Sequence, residues 1–425
     1  MHPGPLLTTL LLGLIAASST TDDPPRPSAQ APQAPSTPPT PQAPRAPQVP
    51  DAKAPPRLIG PRSGKDKDAA ARRFGADASV EKAVLGGLDW LARHQDESGL
   101  FDPDGFPMRC ADGGACDGIG KGQHGEDMPC PFDAALSAMA TLAFLGHGHV
   151  PGAASDAYGG VVERALLALR GHDGDRFALA IATQAFAEAE VLEGKGRWQD
   201  DVERGVAGLL ELRQTDGAFG YAAPWRPGSD VPYSALVVEA LMTARDAGAT
   251  LPEDLGKGVD AFLDSLELKK GRLAYLLDGR SYGYTPTTTN GHLAAAMREL
   301  LDVDRSGERH RAHLALVASS APKWAIEFEE IDVPGQGKVT AQIGELSLYQ
   351  WYYGNLASFL AGPDKFRNYY TATKRELLAH QRKDGCAKGS WNPEGTYERQ
   401  TGGRVMATAL AVLMLEQPYR HRRRD

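Results

Sequence analysis

Apolar residues recur along the chain three and four positions apart, which is the spacing of one face of an α-helix. Val80, Val84 and Leu88 form one such face, and the same spacing returns at Val202. A second, Ala-rich segment follows, as between Ala135 and Leu142. The second segments are apolar on more sides than the first, which is typical of helices buried on both sides. The pattern predicts an all-α chain built from pairs of helices.

The paired helices share a motif of Gly, an aromatic residue or Leu, Leu and Gln, followed by Gly and a second aromatic residue. Its matched positions are Trp90, Gln95, Phe101, Gln214, Phe219, Gln381 and Trp391. A further copy has Glu267 in the Gln position. The copies recur in units of about fifty to sixty residues, which leaves room for degenerate units near Leu169–Phe186 and Trp324–Phe359. Six helical hairpins are therefore expected, either as an open stack or closed into a ring.

Both ends of the chain differ from the repeats. The apolar run Leu6–Ala17, followed by small residues, is too short to span a bilayer and predicts a secretory signal peptide over 1–19, with a retained anchor as the alternative. Pro-rich composition predicts a disordered spacer over 20–75. The repeat domain would then cover 76–418, and a basic tail, 419–425, is expected to be solvated.

The signal predicts export to the periplasm, the cell envelope or the extracellular space, and it leaves room for peripheral association with a membrane. The formal net charge is −8, and the basic residues form no stripe with interleaved aromatic residues. This composition disfavours nucleic acid as a partner. The sequence does not indicate an oligomeric state.

The Gly-x3-aromatic-Leu-x3-Gln pattern, with its following Gly-x-aromatic, resembles the Gln-Trp repeat of the terpenoid cyclase and protein prenyltransferase superfamily. The segments Tyr349–Gly354, Gly389–Pro393 and Gly402–Leu410 resemble bacterial proteins with prenyltransferase and squalene-oxidase repeats. The resemblance covers nearly the whole chain after the spacer. It implies an α/α toroid, in which the hairpins form an inner and an outer ring of helices.

In that superfamily the ligand cavity is lined by the inner helices and by the loops at their N-terminal ends. The resemblance therefore implies a set of cavity residues by position: Asp133, Asp230, Tyr233, His292, Tyr349, Trp351, Tyr352 and Arg404. An aromatic-rich cavity with few polar groups suits an apolar ligand.

Two catalytic motifs of the superfamily are missing from this sequence. The Asp-x-Asp-Asp acid of squalene and hopene cyclases is absent; the strings that start at Asp173 and Asp302 both lack the final carboxylate. Asp384-Gly385-Cys386 matches the first half of the prenyltransferase zinc site, but the only later His is His421 in the tail. We therefore assign no catalytic residue.

The loop between the two helices of the first unit carries Cys110, Cys116, His124 and Cys130. Three Cys and one His could hold zinc, and the acids of the loop could hold calcium, although the usual short Cys spacing and an EF-hand are both absent. An exported chain with four Cys more often forms disulfides. Because a closed ring makes the first and sixth hairpins neighbours, we expect Cys130 to pair with Cys386 and Cys110 with Cys116.

Three functions follow from these observations. The absence of a catalytic motif favours an exported toroid that binds an apolar small molecule or a peptide, or serves as a scaffold, without cyclase chemistry. A squalene-hopene cyclase-like or prenyltransferase-like enzyme is the first alternative. A secreted glycan hydrolase or lyase is the second, because α/α toroids also support such enzymes. It would need paired acids, and Asp230 with Asp133 or Glu345 is the pair to test.

Overall fold

A computed structural model of the chain describes residues 58–110, 116, 130–172, 175–221, 228–275, 286–325, 327–333, 337–344 and 346–423. The predicted signal peptide and the spacer as far as residue 57 lie outside these ranges, as do His124, Asp173 and Glu345. Within the described ranges, helices alternate between two concentric rings, as the apolar pattern predicts.

The outer ring consists of α2 (Ala78–Arg93), α4 (Gly159–Leu169), α6 (Gln199–Glu211), α8 (Leu255–Ser265), α10 (Glu308–Ser319) and α12 (Pro363–His380). The inner ring consists of α3 (Asp133–His147), α5 (Arg176–Glu193), α7 (Val231–Asp246), α9 (Thr287–Leu301), α11 (Leu348–Ala361) and α14 (Gly403–Leu415). Three shorter helices complete the described set: α1 (Gly64–Arg73), α13 (Thr396–Thr401) and α15 (Gln417–Arg420).

The two rings differ in burial because they face different surroundings. All residues of α3 from Ala134 to Gly146 are buried, whereas α2 buries one stripe along its length. Each inner helix packs against the next, and α14 packs against α3, so the ring is closed. We call the junction of the sixth and first units, where α12 and α14 pack against α2, the seam. The predicted α/α toroid of six helical hairpins is confirmed.

The Gln of the repeat motif joins neighbouring outer helices. Gln95 Nε2 donates to Gly99 O of its own turn and to Val161 O of α4, both at 2.9 Å. At the seam, Gln381 Nε2 makes the same two bonds at 2.8 Å, to Gly389 O and to Ala83 O of α2. The repeated Gln therefore fastens each of these outer helices to the next.

The third unit achieves the same connection with the preceding residue. Gln214 Nε2 donates to Leu212 O at 2.8 Å. Arg213 instead reaches the next outer helix, since its Nη1 lies 2.9 Å from the carboxylate of Asp254, and its Nε donates to Gly217 O at 3.1 Å.

The second aromatic residue of the motif positions the inner helix of its own unit. Its backbone N–H donates to a hydroxyl on that helix in three units: Phe101 to Ser137 (2.7 Å), Phe219 to Ser234 (3.0 Å) and Trp391 to Thr408 (3.3 Å). In the first and sixth units the motif thus links the turn both to the next outer helix and to its own inner helix.

The fifth unit departs from the sequence prediction. Its outer helix α10 precedes Trp324, where the degenerate unit was expected to begin. An antiparallel hairpin of β1 (Glu327–Val333) and β2 (Gly337–Gly344) then separates α10 from α11, with Ile331 opposite Val339. The physical reason is visible in the sequence, because apolar residues alternate with polar ones over 331–333 and 339–343, at the period of a strand.

The two ends of the described chain also depart from the prediction. Helix α1 lies within the predicted disordered spacer, and Tyr419, Arg420 and His421 of the predicted solvated tail are buried. The two segments pair, because Gly60 N donates to Arg420 O at 2.9 Å. Charge alone predicted exposure for the tail, but Arg420 finds carboxylate partners inside the ring.

No described helix combines the length and the apolar character that a membrane crossing requires.

Candidate functional site

Side chains fill the middle of the ring. Seven of the eight residues expected to line a cavity are buried, namely Asp230, Tyr233, His292, Tyr349, Trp351, Tyr352 and Arg404. Asp133 alone among the eight is partly exposed. The expected cavity residues therefore act mainly as packing and hydrogen-bonding groups in this structure.

A network of buried charges lies inside the ring around Arg420, the last residue of α15. Arg420 donates to Glu188 Oε1 at 2.9 Å and to the Tyr352 hydroxyl at 2.8 Å, and Arg62 donates to Glu188 Oε2 at 3.0 Å. The Tyr352 hydroxyl donates in turn to Glu239. Burial raises the pKa of the Glu239 carboxyl, whereas the nearby charge of Arg420 acts to lower it. Two guanidinium groups and two carboxyl groups thus compensate one another in the interior.

Asp230 and the tyrosines near it hold the inner helices together. Asp230 caps α7, because its Oδ1 accepts a hydrogen bond from Tyr233 N at 2.7 Å, and the Tyr275 hydroxyl donates to its Oδ2. The Tyr233 hydroxyl donates to Arg176 O of α5 at 3.0 Å. The Tyr349 hydroxyl lies 3.4 Å from Pro232 O. These contacts assign Asp230 a capping role.

Three other predicted residues contact neighbouring helices and turns. His292 Nδ1 lies 2.9 Å from Thr288 O, and burial lowers the pKa of His292 to about 4. Trp351 packs edge-on against Trp324, with ring centroids 5.8 Å apart. Arg404 Nη1 donates to the side chain of Asn392 at 2.8 Å. These contacts are of the kind that hold neighbouring helices and turns together.

An acidic cluster lies at the end of the ring where the inner helices begin, which we call the mouth. Asp133, at the start of α3, has carboxylate oxygens within 4.8 Å of those of Asp102 and Asp104. Burial, followed by the charges of these two residues, raises the pKa of Asp133 to about 7. Cys130 N donates to Asp104 Oδ2 at 2.8 Å. Sequence reasoning missed Asp102 and Asp104, although they follow the repeat aromatic Phe101 by one and three residues.

Four partly exposed aromatic residues lie at the same end, and we call them the mouth aromatics: Phe132, Phe177, Tyr221 and Tyr397. The ring centroids of Phe132 and Phe177 are 5.6 Å apart, and those of Phe177 and Tyr221 are 5.2 Å apart. Tyr397 packs against Tyr349 at 5.1 Å. The mouth therefore combines aromatic faces with carboxyl groups.

A second cluster lies at the seam. His94 follows the last residue of α2, Cys110 follows a 3-10 turn at Phe106–Arg109, and Cys386 lies in the turn after α12. His94 Nε2 lies 3.5 Å from Cys110 Sγ, 3.5 Å from Cys116 Sγ and 3.4 Å from Cys386 Sγ. His94 is 1% exposed, Cys116 2% and Cys110 7%. We call these four residues the seam cluster.

The structure does not show the predicted disulfides, since all four cysteines are free in it. Ring closure does bring Cys386 to the first unit, as expected, but its neighbours there are Cys110 and Cys116. Cys130 Sγ instead donates to Thr401 O at 3.2 Å. His94 was also missed as a neighbour of these thiols, because it comes directly before the repeat Gln and 16 residues ahead of Cys110.

The surroundings of His94 orient its ring. Its Nδ1 lies 2.7 Å from Trp90 O, and a carbonyl oxygen can only accept, so Nδ1 carries the proton and Nε2 presents a lone pair to the thiols. Trp90 stacks on the imidazole with centroids 4.3 Å apart. Burial lowers the pKa of His94 to about 4 and raises the pKa of the Cys116 and Cys386 thiols.

No family model matches the chain, and no curated protein sequence matches it. Among solved structures, the chain is similar to the α-1,6-mannanase GH76A of Salegentibacter sp. HEL1_6, with a TM-score of 0.53 at 8% identity over 80% of this chain and 99% of that chain. A second structure of this mannanase gives a TM-score of 0.52 at 11% identity over 80% and 98%. The type II terpene cyclase MstE of Scytonema gives 0.49 at 12% identity over 82% and 98%. The likeness to the mannanase shows the α/α toroid fold alone.

Proposed function

We propose that this protein is an exported α/α toroid that binds a peptide at its mouth, without cyclase chemistry. The observation that carries the proposal is the location of the partly exposed aromatic and acidic side chains, which coincide at the mouth while the predicted cavity residues inside the ring are buried. The apolar run Leu6–Ala17 supports export.

The charged interior argues against a prenyl substrate inside the ring. A long apolar substrate needs a large apolar cavity with few polar groups. Here Arg62, Arg420, Glu188 and Glu239 occupy the interior together with Tyr352. Displacing them would leave buried charges without partners, which costs several kcal/mol for each ion in round numbers.

The mouth favours a peptide with apolar and basic side chains. Phe177 and Tyr221 present adjacent rings against which apolar side chains can pack. Asp102, Asp104 and Asp133 add negative charge a short distance away, and complementary charge gives binding its specificity.

The test is selection of a displayed random-peptide library on the full chain. We expect enrichment of peptides with apolar and basic residues, and at least about a tenfold loss of affinity in the Phe177→Ala/Tyr221→Ala double variant. Phe74→Ala is the matched control, an aromatic truncation just after α1, where Phe74 packs against Phe359 of α11. Peptides that bind wild type and the double variant equally would contradict the proposal.

One observation favours a second candidate, a glycan hydrolase. The pKa of Asp133 is raised to about 7, and the oxygens of Asp102 and Asp104 lie within 4.8 Å of its own. Retaining glycosidases use a protonated carboxylic acid and a second carboxylate, and the two carboxyl groups are about 5–5.5 Å apart. The mannanase that shares the fold was solved with α-1,6-mannotriose.

This candidate is tested by sugar release from a panel of polysaccharides that includes α-1,6-mannan. Release that is lost in Asp133→Asn and kept in Asp96→Asn would favour the hydrolase over the peptide-binding module. Squalene serves as the substrate for the cyclase alternative, and we expect no turnover of it.

A further inference from the structure

We propose that His94, Cys110, Cys116 and Cys386 bind one zinc ion that closes the toroid at its seam. The four ligand atoms all lie within 4.8 Å of one another. Three thiols and one imidazole form a complete ligand set for zinc, which prefers sulfur and nitrogen donors in fours. This inference does not depend on the peptide-binding function proposed above.

The separations match the edges of a zinc tetrahedron. With Zn–S near 2.3 Å and Zn–N near 2.05 Å, tetrahedral geometry places each sulfur about 3.6 Å from the nitrogen. The three sulfur-to-nitrogen distances in the seam cluster are 3.5, 3.5 and 3.4 Å. Three similar edges that share one nitrogen are what a single central ion requires.

A disulfide explains the cluster less well. A disulfide joins two sulfur atoms at about 2.05 Å and would leave the third thiol of the cluster unpaired. It would also give His94 Nε2 no role, although the bond from Nδ1 to Trp90 O holds the imidazole in the orientation that a metal ligand needs. Zinc engages all four groups at once.

The ligand set indicates a structural ion. Four protein ligands leave no open position for water or substrate, which is the property of structural zinc sites. Burial of His94, Cys110 and Cys116 is consistent with this assignment. Phe106 packs edge-on against the His94 ring at 5.9 Å and covers one side of the cluster.

The four ligands come from two different units, which indicates the role of the ion. His94, Cys110 and Cys116 belong to the first unit, whereas Cys386 belongs to the sixth, 292 residues from His94. Neither unit can complete the site alone. A cross-link that closes a long loop removes more entropy from the unfolded chain than one that closes a short loop. A zinc ion here would therefore stabilise ring closure directly.

The first test is the metal content of the full chain purified without chelators. We expect about one zinc per chain in wild type and in Cys130→Ser, and less than about a tenth of that in Cys386→Ser. Cys130→Ser is the matched control, because Cys130 is a buried thiol that bonds to Thr401 outside the cluster. Equal zinc in all three proteins would overturn the proposal.

A second measurement on wild type covers the case in which Cys386→Ser does not fold. X-ray absorption at the zinc edge should show three sulfur neighbours near 2.3 Å and one nitrogen near 2.05 Å. Cobalt(II) substitution should give tetrahedral d–d bands and a sulfur-to-cobalt charge-transfer band. A shell of nitrogen and oxygen only, or a metal-free chain with a Cys110–Cys116 disulfide in non-reducing peptide mapping, would overturn the proposal.

Discussion

Two junctions between outer helices in this toroid use the same hydrogen bonds, but the seam cluster spans the second junction and not the first. At the junction of the first and second units, Gln95 reaches Val161 of α4. At the seam, Gln381 reaches Ala83 of α2 in the same way, and the seam cluster lies next to it. The repeat motif therefore supplies the same hydrogen bonds at both junctions, and the seam has the seam cluster in addition.

The difference follows from chain connectivity. The first and second units are consecutive, so a short segment already holds them close together. The seam brings together His94 and Cys386, which are 292 residues apart. The entropy that is lost on closing a loop grows with the length of the loop. Closing the seam therefore costs more entropy than joining two consecutive units. A repeated hydrogen bond suffices between consecutive units, whereas closure of the ring calls for a stronger cross-link.

The largest effect is expected from removing zinc at the seam. Chelation should lower the free energy of unfolding by about 5 kcal/mol or more, because binding energy at a structural zinc site is also folding energy. Thermal unfolding of wild type with and without chelator measures this. Cys386→Ser should be insensitive to the chelator, and a chelator effect of the same size in that variant would place the ion elsewhere.

The second largest effect is expected at the buried charge network around Arg420, which also holds the ring together. Arg420→Met should cost about 3–5 kcal/mol, because it leaves Glu188 with one of its two arginine partners and Glu239 without a nearby guanidinium. Urea unfolding measures the loss. Arg367→Met on the outer helix α12 is the control, since Arg367 is exposed. A loss below about 1 kcal/mol would mean that the network contributes little to closure.

A smaller effect is expected from removing the side-chain hydrogen bonds of Gln95 or Gln381. Gln95→Ala and Gln381→Ala each remove two hydrogen bonds, which should cost about 1–2 kcal/mol in the zinc-bound protein. After zinc removal, the cost of Gln381→Ala should change more than that of Gln95→Ala, because Gln381 joins the two units that the ion links, whereas Gln95, although it follows His94 directly, joins the first unit to the second. Identical behaviour of the two variants would argue against coupling at the seam.

The last comparison concerns the pH dependence of the first unit. The folded-state pKa of Asp133 is raised to about 7, above its ordinary value, so the folded protein binds more protons than the unfolded chain between about pH 4 and 7. The contribution of Asp133 to stability should therefore fall as the pH rises through that window. Asp133→Asn should flatten this part of the profile in urea unfolding. A profile that is unchanged in the variant would assign the titration to another group.

Much of the fold follows from local patterns. The helical spacing around Val80 and the Gln-containing motif predict six hairpins, because both depend on residues close together in the sequence. The strand pair β1–β2 was also encoded locally, in alternation around Ile331, but the repeat spacing favoured a helix there. The predicted solvation of Arg420 failed for a different reason, since its partner Glu188 is 232 residues away.

The candidate sites were predicted less completely because they depend on long-range packing. Ring closure predicts that Cys386 approaches the first unit, but it does not say which side chains it meets. His94 carries no distinguishing pattern, and its role depends on the bond to Trp90 O that orients the imidazole. Asp133 was predicted as a cavity residue, whereas its proximity to Asp102 and Asp104 depends on how the turn after Phe101 folds back.

The location of Cys386 has a consequence for the order of assembly during synthesis. Three ligands of the proposed zinc site are made with the first unit, and the fourth arrives only with the last unit. A chain that stops before the sixth hairpin can fold several units but cannot complete the coordination shell. A bound zinc ion would then indicate that all six hairpins have been synthesised and that the ring has closed. The ion would thus mark the completed fold as well as cross-link it.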